Sequence, residues 1–415
     1  MRRLNLGLVL VFMALGTTLA SGAEFASVDR PGPPLSPSKA DLEGSLKCDE
    51  TVATSDKPPV LLAAGTAINT DQNFGWSYIP ALRASGYPVC TVDQPGDAQQ
   101  NMGETQTRGE YITHAIRQTY KLHGNRPISI IGYSQGGQVI RWPLRFWPDT
   151  RKMVDDLIAI APTNHGSQTV NLLCAPNCAP TLWQQRDASV SRYIAALNSG
   201  QETFAGIDYT NAYTTTDEFV TPNLDDSGTS SLHTGDGRIN NIAIQDVCPD
   251  HIADHLQVGT FDPVAWALAI DALNHDGPAD PARINTDVCE EAFLPGVEPG
   301  EFMQRFGNIG ILAVDQLTSA PRVNAEPDLK PYVFADYVPP TTAQTGTCAT
   351  RSRMIRVGKR ATRVRRSGKA LKIKRGRKVR VRFTGAQTHA RILIVRRAAD
   401  GTRSKATRIV RRCTG

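Results

Sequence analysis

The last 67 residues of this 415-residue chain almost lack acidic side chains. Residues 349–415 contain 24 lysines and arginines against one acid, Asp400, whereas residues 1–348 contain 39 acids against 22 basic residues. The formal net charge of +6 therefore hides two parts of opposite charge, which indicates a domain boundary. The basic part also has a single aromatic residue, Phe383, which argues against nucleic acid as its partner because bases have nothing to stack on.

Long hydrophobic runs are scarce as well, and the longest stands at the N-terminus. Two arginines precede the apolar residues 4–19, and the small residues 21–23 follow as a cleavage site, with Ala20 as a second possibility. We interpret residues 1–23 as a signal peptide, with an uncleaved anchor as the alternative, since the run is short for a membrane span. No second such run follows, so we expect a secreted, extracellular protein.

The chain has eight cysteines, an even number that favours disulfides in an exported protein. Sequence alone does not fix the pairing, but order and proximity suggest four bonds: Cys48–Cys90, Cys174–Cys178, Cys248–Cys289 and Cys348–Cys413. Zinc is the competing interpretation for Cys174 and Cys178. No second pair of ligands with zinc-like spacing follows, so we expect no metal.

Apolar strand-like runs alternate with helical stretches between residues 46 and 337, and 40% of the chain is hydrophobic. This alternation predicts an α/β domain whose mostly parallel sheet is covered on both faces. A Pro/Ser-rich leader over 24–45 precedes this domain, and a Pro/Thr-rich linker over 338–347 follows it. The expected strands are 60–64, 87–92, 125–131, 157–161, 207–213 and 239–244, and the expected long helices are 103–123 and 301–317.

Residues 348–415 alternate basic and apolar side chains with a period of two, as half-buried strands do. We expect strands at 370–374, 378–383 and 391–396. The sequence therefore predicts a small all-β module with a basic outer face, closed by the bond between Cys348 and Cys413.

Within the α/β domain, the apolar run from Ile128 ends at a small-residue turn, Gly132-Tyr-Ser134-Gln-Gly136, and helix-compatible residues follow. This strand–turn–helix order is typical of a nucleophile elbow. The backbone at the nucleophile is strained, and side chains two residues before and after it would collide across the turn. Ser134 is therefore the candidate nucleophile.

A serine nucleophile needs a base to remove its proton and an acid to orient that base. In this kind of fold the acid and then the base follow the serine along the chain. Asp217 follows an expected strand and is the first choice for the acid, with Glu218 and Asp246 as weaker alternatives. His255 lies in a loop after the last expected strand and is the first choice among the histidines that follow Ser134, which are His165, His233, His251, His255, His275 and His389. His251 and His255 are also spaced as two ligands on one helix face, but we favour an incidental second histidine.

With these residues in place, the chain resembles the family of Candida antarctica lipase B, a group of α/β-hydrolases. The resemblance covers about residues 45–345, and its matches recur in one order: 64–66, 133–137, 154–155, 161–162, 183–185, 216–222, 247–248, 254–255 and 326–332. It implies an α/β-hydrolase fold with Ser134, Asp217 and His255 as the catalytic residues. It also implies an oxyanion hole from Thr66 and Gln135.

The resemblance further implies a substrate pocket that includes Tyr133, Asn164, Gln185 and Phe219. Tyr133, Asn164 and Phe219 differ from the family's usual residues, which leaves the substrate's size and stereochemistry open. The bonds Cys48–Cys90 and Cys248–Cys289 match the family. Ala325 stands where the family's third bond has its first cysteine, so Cys348 is free to pair with Cys413.

We therefore expect a secreted carboxylic ester hydrolase, lipase-like, that cleaves lipid or other apolar esters through an acyl-enzyme. We expect no cofactor and a monomer. A cutin-type polyester esterase and an acyltransferase remain open alternatives. A hypothesis of another class is binding to an anionic surface, a cell-wall polymer or an acidic membrane, through the basic tail. A merely solubilising tail is the alternative to that.

Overall fold

The structure, a computed structural model, describes residues 24–95 and 100–338 and, in the C-terminal region, residues 352–356, 361–366, 369–372, 378–382, 389–398 and 402–411. The expected signal peptide lies outside the described residues, as do Cys348 and Cys413 with the bond expected between them. The chain divides into two units, Met1–Tyr337 and Val338–Gly415.

The first unit contains twelve described α-helices and seven strands. The helices are α1 Lys39–Ser45, α2 Thr70–Phe74, α3 Tyr78–Ala84, α4 Thr105–Leu122, α5 Gln135–Val139, α6 Arg141–Phe146, α7 Gln168–Leu173, α8 Pro180–Gln184, α9 Arg192–Leu197, α10 His255–Val258, α11 Pro263–Asn274 and α12 Pro299–Ser319. The strands are β1 Leu46–Cys48, β2 Val60–Ala63, β3 Val89–Val92, β4 Ile128–Tyr133, β5 Val154–Ile160, β6 Asp208–Tyr213 and β7 Arg238–Ala243.

These seven strands form one sheet in the order β1-β3-β2-β4-β5-β6-β7. Only the edge strand β1 runs antiparallel to its neighbour; all other pairs among the seven are parallel. The α/β fold with a mostly parallel sheet is thus confirmed. The chain leaves β2 toward β3 and returns on the other side of β2 as β4, so the loops after β2 and β4 diverge at a topological switch point, where such sheets place their sites.

Both faces of the sheet are covered, as its β-branched and aliphatic strands require. Alternate residues of β2 enter different cores, because successive side chains of a strand point to opposite faces. Val60 and Leu62 pack in the core that includes α11, whereas Leu61 and Ala63 pack in the core that includes α4. The central strands β2 and β4 are buried along their whole length, so the turns at their ends are held firmly.

The helical segment after Ser134 is interrupted between α5 and α6, and Pro143 lies in the first turn of α6. A proline has no N–H to donate to the carbonyl four residues back, here that of Val139, so α5 cannot continue. On α12, Ile309 is buried, whereas Ile311 is 70% exposed.

The described leader residues are part of the first unit and pack against its later segments. The Ala26 N–H donates to the Val333 carbonyl at 2.8 Å, and the Ala335 N–H donates to the Glu24 carbonyl at 2.8 Å. The Trp147 indole N–H donates to the Pro33 carbonyl at 2.9 Å. The start of the described chain is therefore tied to the segment that ends the first unit.

The second unit contains only antiparallel strands among its described residues. They are β8 Ser352–Arg356, β9 Ala361–Arg366, β10 Lys369–Lys372, β11 Lys378–Arg382, β12 His389–Arg397 and β13 Arg403–Arg411. Four of them form a sheet in the order β10-β9-β12-β13, and β11 pairs with β8. The small all-β module is therefore confirmed. Across the described part of the chain, no helix has the length and apolar character needed to span a bilayer.

Candidate active site

Ser134 occupies the tight turn between β4 and α5, with φ 53° and ψ −119°. Few residues other than glycine adopt a positive φ, so the turn holds this serine in a strained backbone conformation. A Cβ on Gly132 would lie 2.6 Å from the carbonyl carbon of Gly136. A Cβ on Gly136 would overlap the carbonyl oxygen of Ala63. Both glycines are therefore required for strand β4, helix α5 and the loop after β2 to approach so closely.

Replacing Gly136 with alanine should destabilise the fold and abolish activity. The added methyl group meets backbone on a buried strand, which cannot move aside as a flexible side chain could. We expect a loss of about 3 kcal/mol or more in the free energy of unfolding, measured by urea denaturation. The matched control is Gly307→Ala in α12, where a Cβ meets nothing within 4 Å and should stabilise slightly. Equal stability of the Gly136→Ala protein and wild type would contradict the packing described.

The structure brings Ser134, His255 and Asp217 into one hydrogen-bonded array. The distance from Ser134 Oγ to His255 Nε2 is 3.0 Å, and that from His255 Nδ1 to Asp217 Oδ2 is 2.9 Å. The other Asp217 oxygen, Oδ1, accepts the backbone N–H groups of Phe219 and Val220 at 2.9 and 2.7 Å. The side chain of Asp217 is fully buried. Its carboxylate is therefore fixed from both sides and aimed at the imidazole.

Charge around the imidazole outweighs its burial. Burial lowers the pKa of His255, because the charged form loses water. The Asp217 carboxylate raises that pKa through its charge and its hydrogen bond, and the charges of Glu218 and Asp254 add to the increase. The net result is a pKa above the ordinary 6.5. An imidazole with this pKa is a good acceptor for a hydroxyl proton near neutral pH.

The backbone around His255 is held by side chains from other elements. The His255 N–H donates to Glu218 Oε2 at 2.9 Å, and the Tyr133 hydroxyl donates to the His255 carbonyl at 2.9 Å. Just before the histidine, the Ala253 carbonyl accepts the hydroxyls of Thr214 and Thr216 at 3.0 and 2.8 Å. These bonds set the position at which the imidazole meets Ser134. Glu218 therefore positions the backbone of the loop, whereas Asp217 positions the imidazole ring.

Thr66 and Gln135 are the residues that the resemblance implies for the oxyanion hole. Gln135 is the first residue of α5, where backbone N–H groups lack intrahelical acceptors and can face a ligand. The Thr66 hydroxyl contacts the Gln185 amide, with 3.2 Å to Oε1 and 3.0 Å to Nε2. Gln185 therefore holds the side chain of Thr66 in place. The Gln135 side chain itself points away, and its Nε2 donates to the Asn101 carbonyl at 3.1 Å.

The array opens into an apolar cavity of about 320 Å³. Thr66, Tyr133, Gln185 and Phe219 line it together with Ser134 and His255. Much of the wall comes from α12, α7 and α8, which contribute Phe306, Ile309, Ala313, Val314, Leu317, Val170, Leu173 and Leu182. Such a cavity suits the hydrocarbon part of a substrate, with the reactive polar groups gathered at one end.

Asn164 does not line this cavity, contrary to its placement in the expected pocket. Its amide nitrogen donates to the Ser230 carbonyl at 2.7 Å and to Asn211 Oδ1 at 3.2 Å, and its oxygen accepts from Arg141 Nη1 at 3.2 Å. The side chain is fully buried and has no free direction toward the cavity. Sequence alone places Asn164 just after a strand but does not show which way it points.

The other candidates have partners elsewhere. His251 Nε2 lies 2.6 Å from Asp262 Oδ2, so it and His255 serve different carboxylates. His165 Nε2 lies 2.6 Å from Glu202 Oε1, and the Asp246 carboxylate accepts the Ala243 N–H at 2.9 Å.

Three disulfides are present, Cys48–Cys90, Cys174–Cys178 and Cys248–Cys289, and the described residues include no free cysteine.

Arg108 is the residue near the site that sequence reasoning missed. Its guanidinium is buried and donates to the side-chain oxygen of Gln135 and to the Ala64 carbonyl, the latter at 2.6 Å. It therefore ties the loop after β2 to the turn after β4. A signal was available: Arg108 lies four residues before Ile112 on the apolar face of α4, where an unpartnered cation would be costly.

A central parallel sheet with a strained serine after one strand, and an acid and a histidine after later strands, defines an α/β-hydrolase. Comparison with known proteins supports this class and also identifies the family. Lipase B of Pseudozyma antarctica is 31% identical over 306 residues, which cover 72% of this chain and 86% of that protein. The crystal structure of Aspergillus fumigatus lipase B matches with a TM-score of 0.66 and 29% identity, over 75% of this chain and 76% of that one. No protein-family model matches the chain.

The chain belongs to the lipase B family of α/β-hydrolases. It is a carboxylic ester hydrolase of the lipase and esterase type. The resemblance inferred from short sequence stretches is thereby confirmed.

Proposed function

We propose that this protein is a secreted serine hydrolase that cleaves apolar carboxylic esters through an acyl-enzyme, with Ser134 as nucleophile, His255 as base and Asp217 as acid. The observation that carries the proposal is the array of two hydrogen bonds, 3.0 and 2.9 Å long, that ends at the apolar cavity. The order of its three members along the chain is the one that α/β-hydrolases use.

In the first step, Ser134 Oγ attacks the ester carbonyl carbon while His255 Nε2 accepts the hydroxyl proton. The negative charge of Asp217 stabilises the imidazolium that results, and the two N–H groups that fix Asp217 keep the carboxylate in place. The tetrahedral intermediate then expels the alcohol, which takes its proton from His255 Nε2. The acyl group remains bonded to Ser134 Oγ.

In the second step, His255 Nε2 accepts a proton from water as the water oxygen attacks the acyl carbon. Collapse of that intermediate returns the proton to Ser134 Oγ and releases the carboxylic acid. An alcohol in place of water would give a new ester, so the acyltransferase alternative uses the same residues. The ratio of acid to ester formed in water with added alcohol separates the two outcomes.

Each tetrahedral intermediate carries an oxyanion, which needs fixed donors. We assign the Gln135 N–H, the Thr66 N–H and the Thr66 hydroxyl to this role. Arg108 supports the assignment because it binds both Gln135 and the Ala64 carbonyl. These hydrogen bonds hold the segment of Gln135 and the segment of Thr66 at a fixed distance from each other. To donate to the oxyanion, the Thr66 hydroxyl would give up its hydrogen bond to Gln185 Oε1. It would continue to accept the hydrogen bond from Gln185 Nε2.

The Thr66 hydroxyl can be tested by substitution. Thr66→Val keeps the shape of the side chain and the backbone donor but removes the hydroxyl, so kcat on p-nitrophenyl butyrate should fall about 100-fold or more. Thr66→Ser, which keeps the hydroxyl, is the matched control and should retain most of the rate. An equal loss in both variants would contradict a specific role of the hydroxyl group.

The substrate class follows from the cavity. Most of its wall consists of aliphatic and aromatic side chains, so acyl chains that fill it gain binding energy while charged chains lose hydration. We expect kcat/KM on p-nitrophenyl esters to rise from acetate to medium-chain acyl groups. A panel of these esters, triacylglycerols and a cutin-type polyester tests the assignment. A maximum at acetate together with no triacylglycerol cleavage would contradict a lipid substrate.

The expected signal peptide and the three disulfides support export. Mass spectrometry of protein from the culture medium should show an N-terminus generated after residue 20 or 23. Retention of the intact chain in the cell would contradict secretion.

A further inference from the structure

The strand register of the four-stranded sheet in the second unit places more of its lysines and arginines on one face than on the other. Paired residues of neighbouring strands lie on the same face of a sheet. The row Leu371–Val364–Ile394–Ala406 crosses all four strands and is wholly apolar. Ile394, in the middle of this row, is buried, whereas its strand neighbours Leu393 and Val395 are half-buried. We call the face that contains this row the inner face.

The opposite face is basic. The adjoining row Lys372–Arg363–Val395–Lys405 lies on it, and so does Arg365, opposite Leu393. Arg391 shares that face because it lies two residues from Leu393. Lys405 at the β13 edge is exposed. We call this set, with Arg403, the basic face.

The basic face cannot be neutralised by its own module, because residues 349–415 contain one acid against 24 lysines and arginines. The register even places Lys372 directly opposite Arg363, an arrangement of like charges that destabilises a sheet in isolation. An external anionic partner would remove this repulsion. The excess of basic residues is therefore better explained by a polyanionic partner than by a role in solubility, because a mixture of charges would keep the module equally soluble.

We propose that the basic face docks the enzyme on an anionic lipid surface. Strands lie about 4.8 Å apart and alternate residues about 7 Å apart, so the residues on one face of a four-stranded sheet repeat at a regular spacing. A regular array of basic residues can meet several lipid phosphates of a bilayer at once. Single-stranded nucleic acid fits less well, since residues 349–415 have Phe383 as their only aromatic residue. The choice of lipid over other anionic surfaces rests on the proposed function, because apolar esters collect in lipid assemblies.

Each lysine or arginine held near an anionic bilayer strengthens binding about fivefold. The test uses the full-length protein and vesicles of ether-linked lipids, which contain no ester to hydrolyse. We expect binding to vesicles that contain phosphatidylglycerol, no binding to pure phosphatidylcholine vesicles, and release when salt rises from about 0.05 to 0.5 M, since salt screens the attraction. Binding that is equal on both vesicles, or insensitive to salt, would overturn the proposal.

Two quadruple variants with equal loss of charge locate the surface. The first changes Arg363, Arg365, Arg391 and Lys405 on the basic face to glutamine. The second makes the same change on the inner face, at Arg366, Lys369, Arg396 and Arg408. We expect the first variant to lose at least about 50-fold in vesicle affinity and the second less than about fivefold. Equal losses, or none, would overturn the assignment to this face.

The wild-type vesicle arms do not depend on the folding of either variant, so the proposal stays testable if one misfolds. A last arm compares partners at equal phosphate concentration. Tighter binding to polyphosphate or to a single-stranded oligonucleotide than to anionic vesicles would overturn the choice of lipid. Hydrolysis of soluble p-nitrophenyl butyrate, measured in parallel, reports on the proposed catalytic function and not on docking. The two proposals can thus fail separately.

Discussion

Ser134→Ala should reduce kcat on p-nitrophenyl butyrate by about five to six orders of magnitude. The substitution removes the one oxygen that forms the acyl-enzyme and leaves His255 and Asp217 with nothing to activate. Folding should be unaffected, because alanine can occupy the same turn between Gly132 and Gly136. We expect a melting temperature within about 3 °C of wild type.

The matched control is Ser189→Ala, an exposed serine outside the cavity, which should leave kcat unchanged. Both variants are purified in the same way, so that traces of a host esterase contribute equally. A Ser134→Ala protein that keeps more than a few per cent of the wild-type rate would exclude this serine as the nucleophile.

Asp217→Asn should lower kcat/KM by about three to four orders of magnitude and also change its pH dependence. An asparagine at this position can donate to His255 Nδ1, which stabilises the tautomer with its proton on Nε2. That nitrogen then cannot accept the Ser134 proton. The loss arises although the geometry at 2.9 Å is kept.

The pH dependence follows from the pKa of His255, which lies above 6.5 mainly because the charge of Asp217 opposes the effect of burial. Only the neutral imidazole is a base, so wild-type kcat/KM should rise as pH increases through this raised pKa. Without the Asp217 charge the pKa falls, so the rise in the residual kcat/KM of Asp217→Asn should shift to lower pH. A shift to higher pH would contradict the charge relation between these two residues.

Asp246→Asn is the matched control for this prediction. Asp246 follows β7 as Asp217 follows β6, but its carboxylate accepts the Ala243 N–H and does not reach His255. We expect a rate within about threefold of wild type and an unchanged pH profile. A loss as large as that of Asp217→Asn would point to a general effect of carboxylates at this edge of the sheet.

The elements best predicted from sequence are those in which local chemistry and tertiary structure impose the same requirement. The run that ends in Gly132-Tyr-Ser134-Gln-Gly136 needs glycine for reasons that are visible within ten residues, and the structure shows the close approaches that require it. The same holds for the chain order of serine, acid and histidine, since each follows a strand of a parallel sheet whose carboxyl ends meet at one edge.

The features that sequence did not predict depend on contacts between distant segments. β1 has three residues and becomes a strand only because β3 supplies its hydrogen bonds. The role of Arg108 depends on the packing of α4 against Gln135 and Ala64. Asn164 follows a strand as site residues do, but the fold turns it toward Arg141. In each case the deciding partner lies far away in the chain.

The central claim is that Ser134 is the residue that carries the acyl group. Inactivation by a p-nitrophenyl alkylphosphonate tests it most directly, because the phosphonate phosphorus takes the place of the acyl carbon and the adduct is stable. Peptide mapping by mass spectrometry should find one phosphonate per chain, on Ser134, in step with the loss of activity. Full inactivation with the adduct on any other residue would contradict the account.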